Sequence, residues 1–254
     1  MRIIVSPAKK MRDELDSLEP RQLPCLLPQT EQLLELLRAM PYAGLKKLLA
    51  SNDAIARQNW QRYQEMDLRR RLSPALLAYD GIQYQYMAPN VFTREEFHYV
   101  EEHLRILSGF YGLLRPFDGV RPYRLEMQAK LQNPRGKDLY AFWGDQLSRV
   151  LAGQTDVIVD LASEEYSKAV SRHWAGQWIS PVFAERENGR LREKGVYVKM
   201  ARGEMVRFLA ENQVEDPRQM REFCEMGYRF QPSLSTEHIY FFVRDRATRQ
   251  KSDF

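Results

Sequence analysis

Only two cysteines and four histidines occur among the 254 residues of this chain. Cys25 and Cys224 are far apart and belong to no CxxC or Cys/His pattern, so neither a disulfide framework nor a structural zinc site is indicated. Hydrophobic runs are short, and none approaches the roughly 20 apolar residues that a transmembrane helix needs. The apolar stretch at residues 1–5 is too short for a secretory signal. We therefore expect a cytoplasmic protein with no membrane partner, no metal and no cofactor.

The overall composition gives no sign of a domain boundary. The hydrophobic share of 44% and the charged share of 28% are close to globular averages. Because no internal repeat or low-complexity linker divides the chain, we predict one domain over residues 1–254, with a flexible polar tail at 245–254. The net charge of +4 is mildly basic, so any binding of nucleic acid would depend on a local patch.

The pattern of apolar residues predicts a mixed α+β domain. Residues 2–6 and 156–161 have the character of short buried strands, and Asn188-Gly189 between two β-rich segments predicts a hairpin. Helical spacing prevails over residues 30–78. Neither GxGxxG nor GxxxxGK[ST] is present, which argues against a Rossmann domain or a P-loop. We predict a twisted, mixed and largely antiparallel sheet surrounded by helices.

The segment at 104–127 combines glycine, proline, aromatic residues and arginine in an irregular run. A helix that starts after Thr93 is predicted to continue through Leu107, and the glycines and prolines beyond it are predicted to bend the chain. Arginine presents a planar fork of donors suited to phosphate and carboxylate, so its arginines indicate an anion-binding surface. A buried connection whose arginines satisfy carbonyls and carboxylates is the open alternative.

Three segments, at residues 6–10, 115–124 and 199–203, place cations beside small or bent residues. If the sheet gathers these loops, they form one basic cleft; dispersed surface cations are the alternative. The predicted phosphate-binding residues of the cleft are Ser6, Lys9, Arg115, Arg124, Lys199 and Arg202. The residues expected to line it are Tyr111, Tyr123, Ser163 and Tyr166, with Ser163 at a helix N-terminus that favours negative charge.

The candidates for a catalytic acid or base are Asp80, Asp118, Glu126, Glu164 and Glu165, of which Glu126 and Glu164 are preferred. Glu126 follows Arg124 by two residues, so both share one side of an extended segment and can form an ion pair, which suits a structural role as well as a catalytic one. Glu95, His98 and Glu102 share one helical face, but a di-iron bundle needs a second such motif and the chain has none. A solvated helix face is expected there.

The hairpin at residues 40–47 is similar to the helix-hairpin-helix pattern, in which loop amides and a lysine hold a DNA phosphate without recognising bases. It predicts Gly44, Lys46 and Lys47 as phosphate ligands within a helix-hairpin-helix-like element near residues 30–60. Tyr42 stands where the pattern has its first glycine. A plain pair of helices with proline and glycine in the turn is the alternative.

Five motifs, in order along the chain, resemble those of the bacterial peroxide stress resistance protein YaaA family. They are SPAK at 6–9, LSGFYGLLRPFDGVRPYRLEM at 107–127, GKDLYAFW at 136–143, LASEEY at 161–166 and KMARG at 199–203. Tyr86-Met87 replaces the glycine-leucine pair usual in the family, a change expected to alter the floor of the cleft. The resemblance implies a cytoplasmic single-domain protein with a helix-hairpin-helix element and a positively charged cleft. It also implies DNA binding and a role in peroxide defence by limiting free intracellular iron.

Residues and resemblance together lead to one preferred hypothesis. It is a DNA-binding protein of the peroxide response that holds the phosphates of double-stranded or structured DNA without sequence specificity. The alternative is an enzyme that acts on a nucleotide, nucleobase or other small anionic ligand in the same cleft. The sequence leaves open whether there is any catalytic activity.

Overall fold

The computed structural model describes residues 1–15 and 18–245 of the chain. Its strands are β1 (Arg2–Val5), β2 (Lys10–Met11), β3 (Ser73–Pro74), β4 (Tyr79–Asp80), β5 (Leu104–Ser108), β6 (Gly112–Leu114), β7 (Gly119–Val120), β8 (Val157–Leu161), β9 (Gln177–Glu187), β10 (Arg190–Arg192), β11 (Arg229–Phe230) and β12 (Ile239–Asp245). Its α-helices are α1 (Leu27–Ala39), α2 (Tyr42–Leu49), α3 (Asp53–Glu65), α4 (Ala75–Ala78), α5 (Ile82–Met87), α6 (Arg94–His103), α7 (Leu139–Trp143), α8 (Gln146–Ala152), α9 (Glu164–Ser171) and α10 (Gly195–Glu211). Short 3-10 helices lie at Pro89–Val91, Pro217–Glu222, Glu225–Gly227 and Pro232–Leu234. The tail predicted to be flexible lies, beyond Asp245, outside the described residues.

One eight-stranded sheet organises these elements. Its order is β11-β12-β9-β8-β1-β5-β6, and β10 pairs with β9. The five strands from β12 to β5 are parallel, whereas β6, β10 and β11 are added antiparallel at or near the edges. The predicted α+β class and mixed sheet are confirmed, but the expectation that the sheet is largely antiparallel is wrong, because four of its seven strand pairs are parallel. Parallel pairs predominate because helical segments between the central strands return the chain to the same end of the sheet.

The chain changes its direction of growth across the sheet at β1. After β1 the chain reaches β5 on one side, and β8 and β9 are added later on the other side. Such a switch leaves a crevice at the carboxyl ends of the two strands, which is where open sheets with parallel strands bind ligands. Ser6 follows β1 and Ser163 lies just beyond β8, so both serines lie at this crevice.

The segment at 104–108 is a central strand and not the end of a helix. Thr93 and Glu96 form the capping box of α6, which ends at His103. All five residues of β5 are buried, and the strand pairs with β1 and β6. The prediction that the helix continues through Leu107 is wrong because Leu104 and Leu107 match helical spacing as well as a buried strand, and only the pairing of β5 with β1 and β6 decides between them.

Helices α1 and α2 form a tight hairpin at the predicted place. Met40 and Pro41 connect them, and Pro41 is the N-cap of α2. Gly44 therefore lies in the first turn of α2 and not in the connection. The pair of helices is present as predicted, whereas its assignment as a phosphate-binding helix-hairpin-helix stays a prediction.

Two other segments differ from the sequence pattern. The helix expected over 139–151 is divided into α7 and α8 at Gly144, whose φ of 52° interrupts it. Strand β10 ends at Arg192 and α10 begins at Gly195, so residues 199–203 are helical and do not form a loop. Tertiary packing explains this difference, since α10 lies directly against α5 at Gly203.

No helix within residues 1–15 and 18–245 is long and apolar enough to cross a membrane. The hydrophobic core instead surrounds the sheet, where Ile3, Ile4 and Val5 of β1 are completely buried. Rigid burial of β1 fixes the position of Ser6 at its end.

Candidate functional site

A cavity of about 600 Å³ lies at the crevice between β1 and β8. Its walls come from residues 6–10, 80–84, 123–126 and 163–166, together with Lys199 and Arg202 of α10. We call this cavity the cleft. Segments that are distant in sequence therefore meet, as the sequence predicts for Ser6, Lys9, Arg124, Lys199 and Arg202.

Two serines join the ends of β1 and β8. Ser6 Oγ accepts a hydrogen bond from the Ser163 amide at 2.8 Å and donates one to Ser163 Oγ at 3.1 Å. Ser163 is the N-cap of α9, but its hydroxyl makes no capping hydrogen bond. The serine pair therefore lines the cleft beside a helix N-terminus, whose dipole favours an anion.

Arg202 enters the cleft from α10. Its Nε is buried and has no acceptor among the described residues. Burial lowers the pKa of its guanidinium, and the charge of Asp160 acts in the opposite direction. The nearby Asp160 carboxylate accepts hydrogen bonds from the Ala162 amide at 3.0 Å and the Ser167 hydroxyl at 2.7 Å. Burial raises the pKa of Asp160 to about 6. A buried donor without a partner costs stability, so Arg202 has the properties expected of a ligand-binding side chain.

Glu126 is held between two cations at the other end of the cleft. One of its carboxylate oxygens lies 2.9 Å from Lys9 Nζ, and the other lies 3.3 Å from a terminal nitrogen of Arg124. The predicted ion pair with Arg124 is therefore present. The Nε of Arg124 is also buried and has no partner within the described part of the chain. The main-chain carbonyl of Arg124 accepts a hydrogen bond from the Tyr63 hydroxyl at 2.7 Å. This end of the cleft thus combines an occupied carboxylate with a partly unsatisfied guanidinium.

Glu165, one of the carboxyl groups that the sequence offers as an acid or base, lines the cleft. It is half-buried and accepts the Gln128 amide at 3.2 Å. Burial raises the pKa of Glu165, and the negative charge of Glu126 adds to this effect. Glu164, which the sequence indicates, is exposed on the cleft rim. Two carboxyl groups in different environments are typical of acid–base pairs, so Glu126 and Glu165 form the more suitable pair.

Charges of both signs line the cleft. The cations are Lys9, Lys10, Arg124, Lys199 and Arg202, and the carboxyl groups are Asp80, Glu126, Glu164 and Glu165. Lys10 lies 2.7 Å from Asp80, and Lys9 and Arg124 are paired with Glu126. Neither Lys199 nor Arg202 forms an ion pair with any described residue. The two cations that are not in a close ion pair therefore lie where α10 meets the serine pair, with Asp160 as the nearest influence of opposite charge on Arg202.

A second cavity, of about 670 Å³, lies between α2 and the segment at 124–130. Gly44, Lys47 and Lys130 line it, and Arg124 and Glu126 line both this cavity and the cleft. We call the two adjoining cavities together the groove. The predicted hairpin residues and the predicted cleft residues are therefore neighbours.

Lys46 lies outside the groove lining. Its Nζ is 3.0 Å from Asp53 at the start of α3, and the same carboxylate oxygen accepts the Tyr42 hydroxyl at 2.6 Å. Lys46 and Tyr42 thus connect α2 to the start of α3, and the role of Lys46 as a phosphate ligand stays a prediction. Lys47, one residue on, is exposed and lines the groove.

The central motif contributes only one of its arginines to the cleft. Arg121 donates to the Arg71 carbonyl at 2.6 Å, and Arg115 is exposed beyond β6. The main-chain amide of Arg115 donates to Asp118 at 2.9 Å, which fixes a turn remote from the cleft lining. The prediction that Arg115 belongs to the cleft is therefore not met; Arg124 alone occupies the expected place.

The predicted tyrosines have mainly structural contacts. Tyr111 is buried away from the cleft lining, and its hydroxyl accepts the Arg121 amide at 2.9 Å. Tyr123 and Tyr166 line the cleft, but both are buried, and the Tyr123 hydroxyl bonds to Ser108 at 2.5 Å. The departure from the family pattern at Tyr86-Met87 lies on α5 against Gly203, also outside the cleft lining.

No group of three or more potential metal ligands occurs in the described part of the chain. His98 and Glu102 are both exposed and lie 4.0 Å apart on α6. Their exposure on the outer face of the helix agrees with the expected solvated surface.

Comparison with known proteins places this fold and cleft in a family. A family model described as "Peroxide stress protein YaaA" matches residues 1–234. A UPF0246 protein of Desulfitobacterium hafniense (strain Y51) is 51% identical over 251 residues, covering 98% of this chain and all of the relative. UPF0246 proteins of Agathobacter rectalis and Lactiplantibacillus plantarum are 47% and 46% identical over 96% of this chain and 99% of each relative. The chain therefore belongs to the peroxide stress protein YaaA family.

Proposed function

We propose that the protein binds the phosphate backbone of double-stranded or structured DNA along the groove. One observation carries this proposal: the cavity beside α2 and the cleft share Arg124 and Glu126 in their linings. The cations that line the two cavities therefore lie along one continuous groove. Lys47 and Lys130 lie at one end of this groove, and Lys199 and Arg202 lie at the other. Contacts of lysine and arginine with phosphate position a protein on nucleic acid without recognising sequence.

Because the chain belongs to the peroxide stress protein YaaA family, we propose that this DNA binding is part of the peroxide response. In that setting, ferrous iron close to DNA converts peroxide into hydroxyl radical, so a protein on the backbone would protect DNA from damage. The proposal includes the limit on free intracellular iron that the resemblance implies. It places the protein in the cytoplasm, with DNA as its partner.

Charge reversal in the groove tests the proposal. Lys47→Glu combined with Lys130→Glu should weaken duplex binding by at least about tenfold, because two phosphate contacts are replaced by repulsion. Arg229→Glu is the matched control, since Arg229 is exposed on β11 and lines neither cavity. Affinity is measured by fluorescence anisotropy with a labelled duplex. Equal affinities of the double variant and the control would reject the groove as the DNA-binding surface.

The second candidate function is an enzyme that acts on a nucleotide, nucleobase or other small anionic ligand. The juxtaposition of Glu126 with Glu165, whose pKa is raised by burial, favours it. Chromatography of nucleotides and nucleosides incubated with the protein tests this candidate. Conversion that is lost in Glu165→Gln supports it, whereas no conversion by the wild-type protein rejects it.

A further inference from the structure

The α10 end of the cleft differs from the rest of the groove. Here Ser6 and Ser163 connect the ends of two parallel strands at the switch point of the sheet. Arg202 presents a buried Nε that has no acceptor. Sheet topology, the start of α9 and an unsatisfied guanidinium are three separate features, and all three favour an anion at the same place.

We propose that this end of the cleft binds the terminal phosphate monoester of a nucleotide, with Ser6, Ser163 and Arg202 as its ligands. The proposal deepens the proposed function and rests on it only where the nucleotide is the end of a bound DNA strand. The same chemistry is presented by a free mononucleotide.

Charge favours a monoester over a phosphodiester inside a strand. A phosphate monoester carries close to two negative charges at pH 7, whereas a phosphodiester carries one. Both Lys199 and Arg202 reach this end of the cleft without an ion-pair partner in the described chain. Ser6 directly follows Val5, and Ser163 follows Leu161 and Ala162; all three preceding residues are buried, so the cleft ends against the sheet. A DNA strand that follows the groove into the cleft would therefore end at the serine pair.

The opposite end of the cleft suits the base of the nucleotide. Glu165 offers carboxylate oxygens as acceptors there, and each oxygen of Glu126 keeps a second lone pair beside its contact with Lys9 or Arg124. Amino and imino groups of bases are donors. The volume of about 600 Å³ is in the range of small-molecule sites. A ligand with phosphate at one end and hydrogen-bond donors at the other therefore matches both ends.

Calorimetric titration of the full chain tests the proposal. The probes are deoxyadenosine 5′-monophosphate, deoxyadenosine, inorganic phosphate, and duplexes with 5′-phosphate or 5′-hydroxyl ends. We expect the monophosphate to bind at least about tenfold tighter than the nucleoside, because the charged donors of Arg202 contact only the phosphate. Arg202→Met should remove most of this difference, and Arg202→Lys should retain part of it.

Controls separate loss of the site from loss of the fold. Arg202→Met removes an unsatisfied buried donor but also the cation that acts on Asp160, so thermal unfolding must show that this variant is folded at the temperature of the titration, and Arg202→Lys keeps the cation. Arg229→Gln, at an exposed arginine of β11 that lines neither cavity, should leave monophosphate binding unchanged. A preference for 5′-phosphorylated duplexes identifies strand ends as the source, and binding of the free monophosphate alone identifies the mononucleotide; both support the site.

Other results overturn the proposal independently of DNA binding. If neither the monophosphate nor a 5′-phosphorylated end is preferred over its unphosphorylated counterpart, the phosphate site is rejected, even when duplexes bind. Equal monophosphate affinity of Arg202→Met and the wild-type protein also rejects it. Monophosphate binding without any duplex binding retains the site and rejects the proposed function instead.

Discussion

Replacing Gly203 by alanine tests how the packing of α10 on α5 maintains the cleft. An added Cβ would lie 2.2 Å from the Gln83 carbonyl oxygen and 2.9 Å from the Met87 nitrogen. Both are backbone atoms that cannot rotate away, so the two helices must separate. Overpacking of this kind typically costs about 1–3 kcal/mol, and a 2.2 Å contact belongs at the upper end. Part of this cost is offset, because alanine is more favourable than glycine in a helix interior by about 1 kcal/mol.

The expected net result is a loss of about 2 kcal/mol in the free energy of unfolding, which lowers the melting temperature by about 4–8 °C. Because Gln83 and Tyr84 of α5 line the cleft, binding of any cleft ligand should weaken as well. Gly195→Ala is the matched control at the start of the same helix, where no atom lies within 4 Å of the added Cβ. Thermal unfolding followed by circular dichroism measures both variants. Equal melting temperatures for the two would refute this account of the helix contact.

Two further substitutions probe buried groups that do not line the groove, Tyr63 and Asp118. Tyr63→Phe removes the hydrogen bond to the Arg124 carbonyl and should cost about 1–3 kcal/mol, seen as a lower denaturation midpoint in urea; an unchanged midpoint contradicts it. Burial raises the pKa of Asp118 to about 6, above its value in the unfolded chain, so its ionisation destabilises the fold as pH rises from about 4 through 6. The stability of Asp118→Asn relative to wild type should therefore be more favourable at pH 7 than at pH 4 by up to about 3 kcal/mol. Melting temperatures of both proteins at the two pH values check this, and a difference independent of pH disproves it.

Local signals in the sequence predict much of the fold. Thr93 and Glu96 form the capping box of α6, and Asn188 and Gly189 both have positive φ in the β9–β10 turn. These features depend on neighbours along the chain, so they are visible in the sequence. The strand at 104–108 is not visible in the sequence in this way. Leu104 and Leu107 fit a helix as well as a buried strand, and only pairing with β1 decides between the two.

The site is predictable in its segments and less so in its individual side chains. Motifs around Ser6, Arg124 and Arg202 do meet at one cleft. The choice of Glu165 over Glu164 depends on which side of α9 faces inward, and the exclusion of Arg115 depends on the turn at Asp118. Such choices are made by tertiary packing, which a single sequence does not display.

Duplex affinity as a function of salt concentration tests the central claim most directly. Backbone binding predicts that the logarithm of the association constant falls steeply and linearly with the logarithm of salt concentration. Lys47→Gln should reduce the slope by about 0.9, one phosphate contact, whereas Lys137→Gln, an exposed lysine outside both cavities, should leave it unchanged. A wild-type affinity that stays constant as salt rises, or a Lys47→Gln slope equal to that of the wild-type protein, would contradict phosphate binding by the groove.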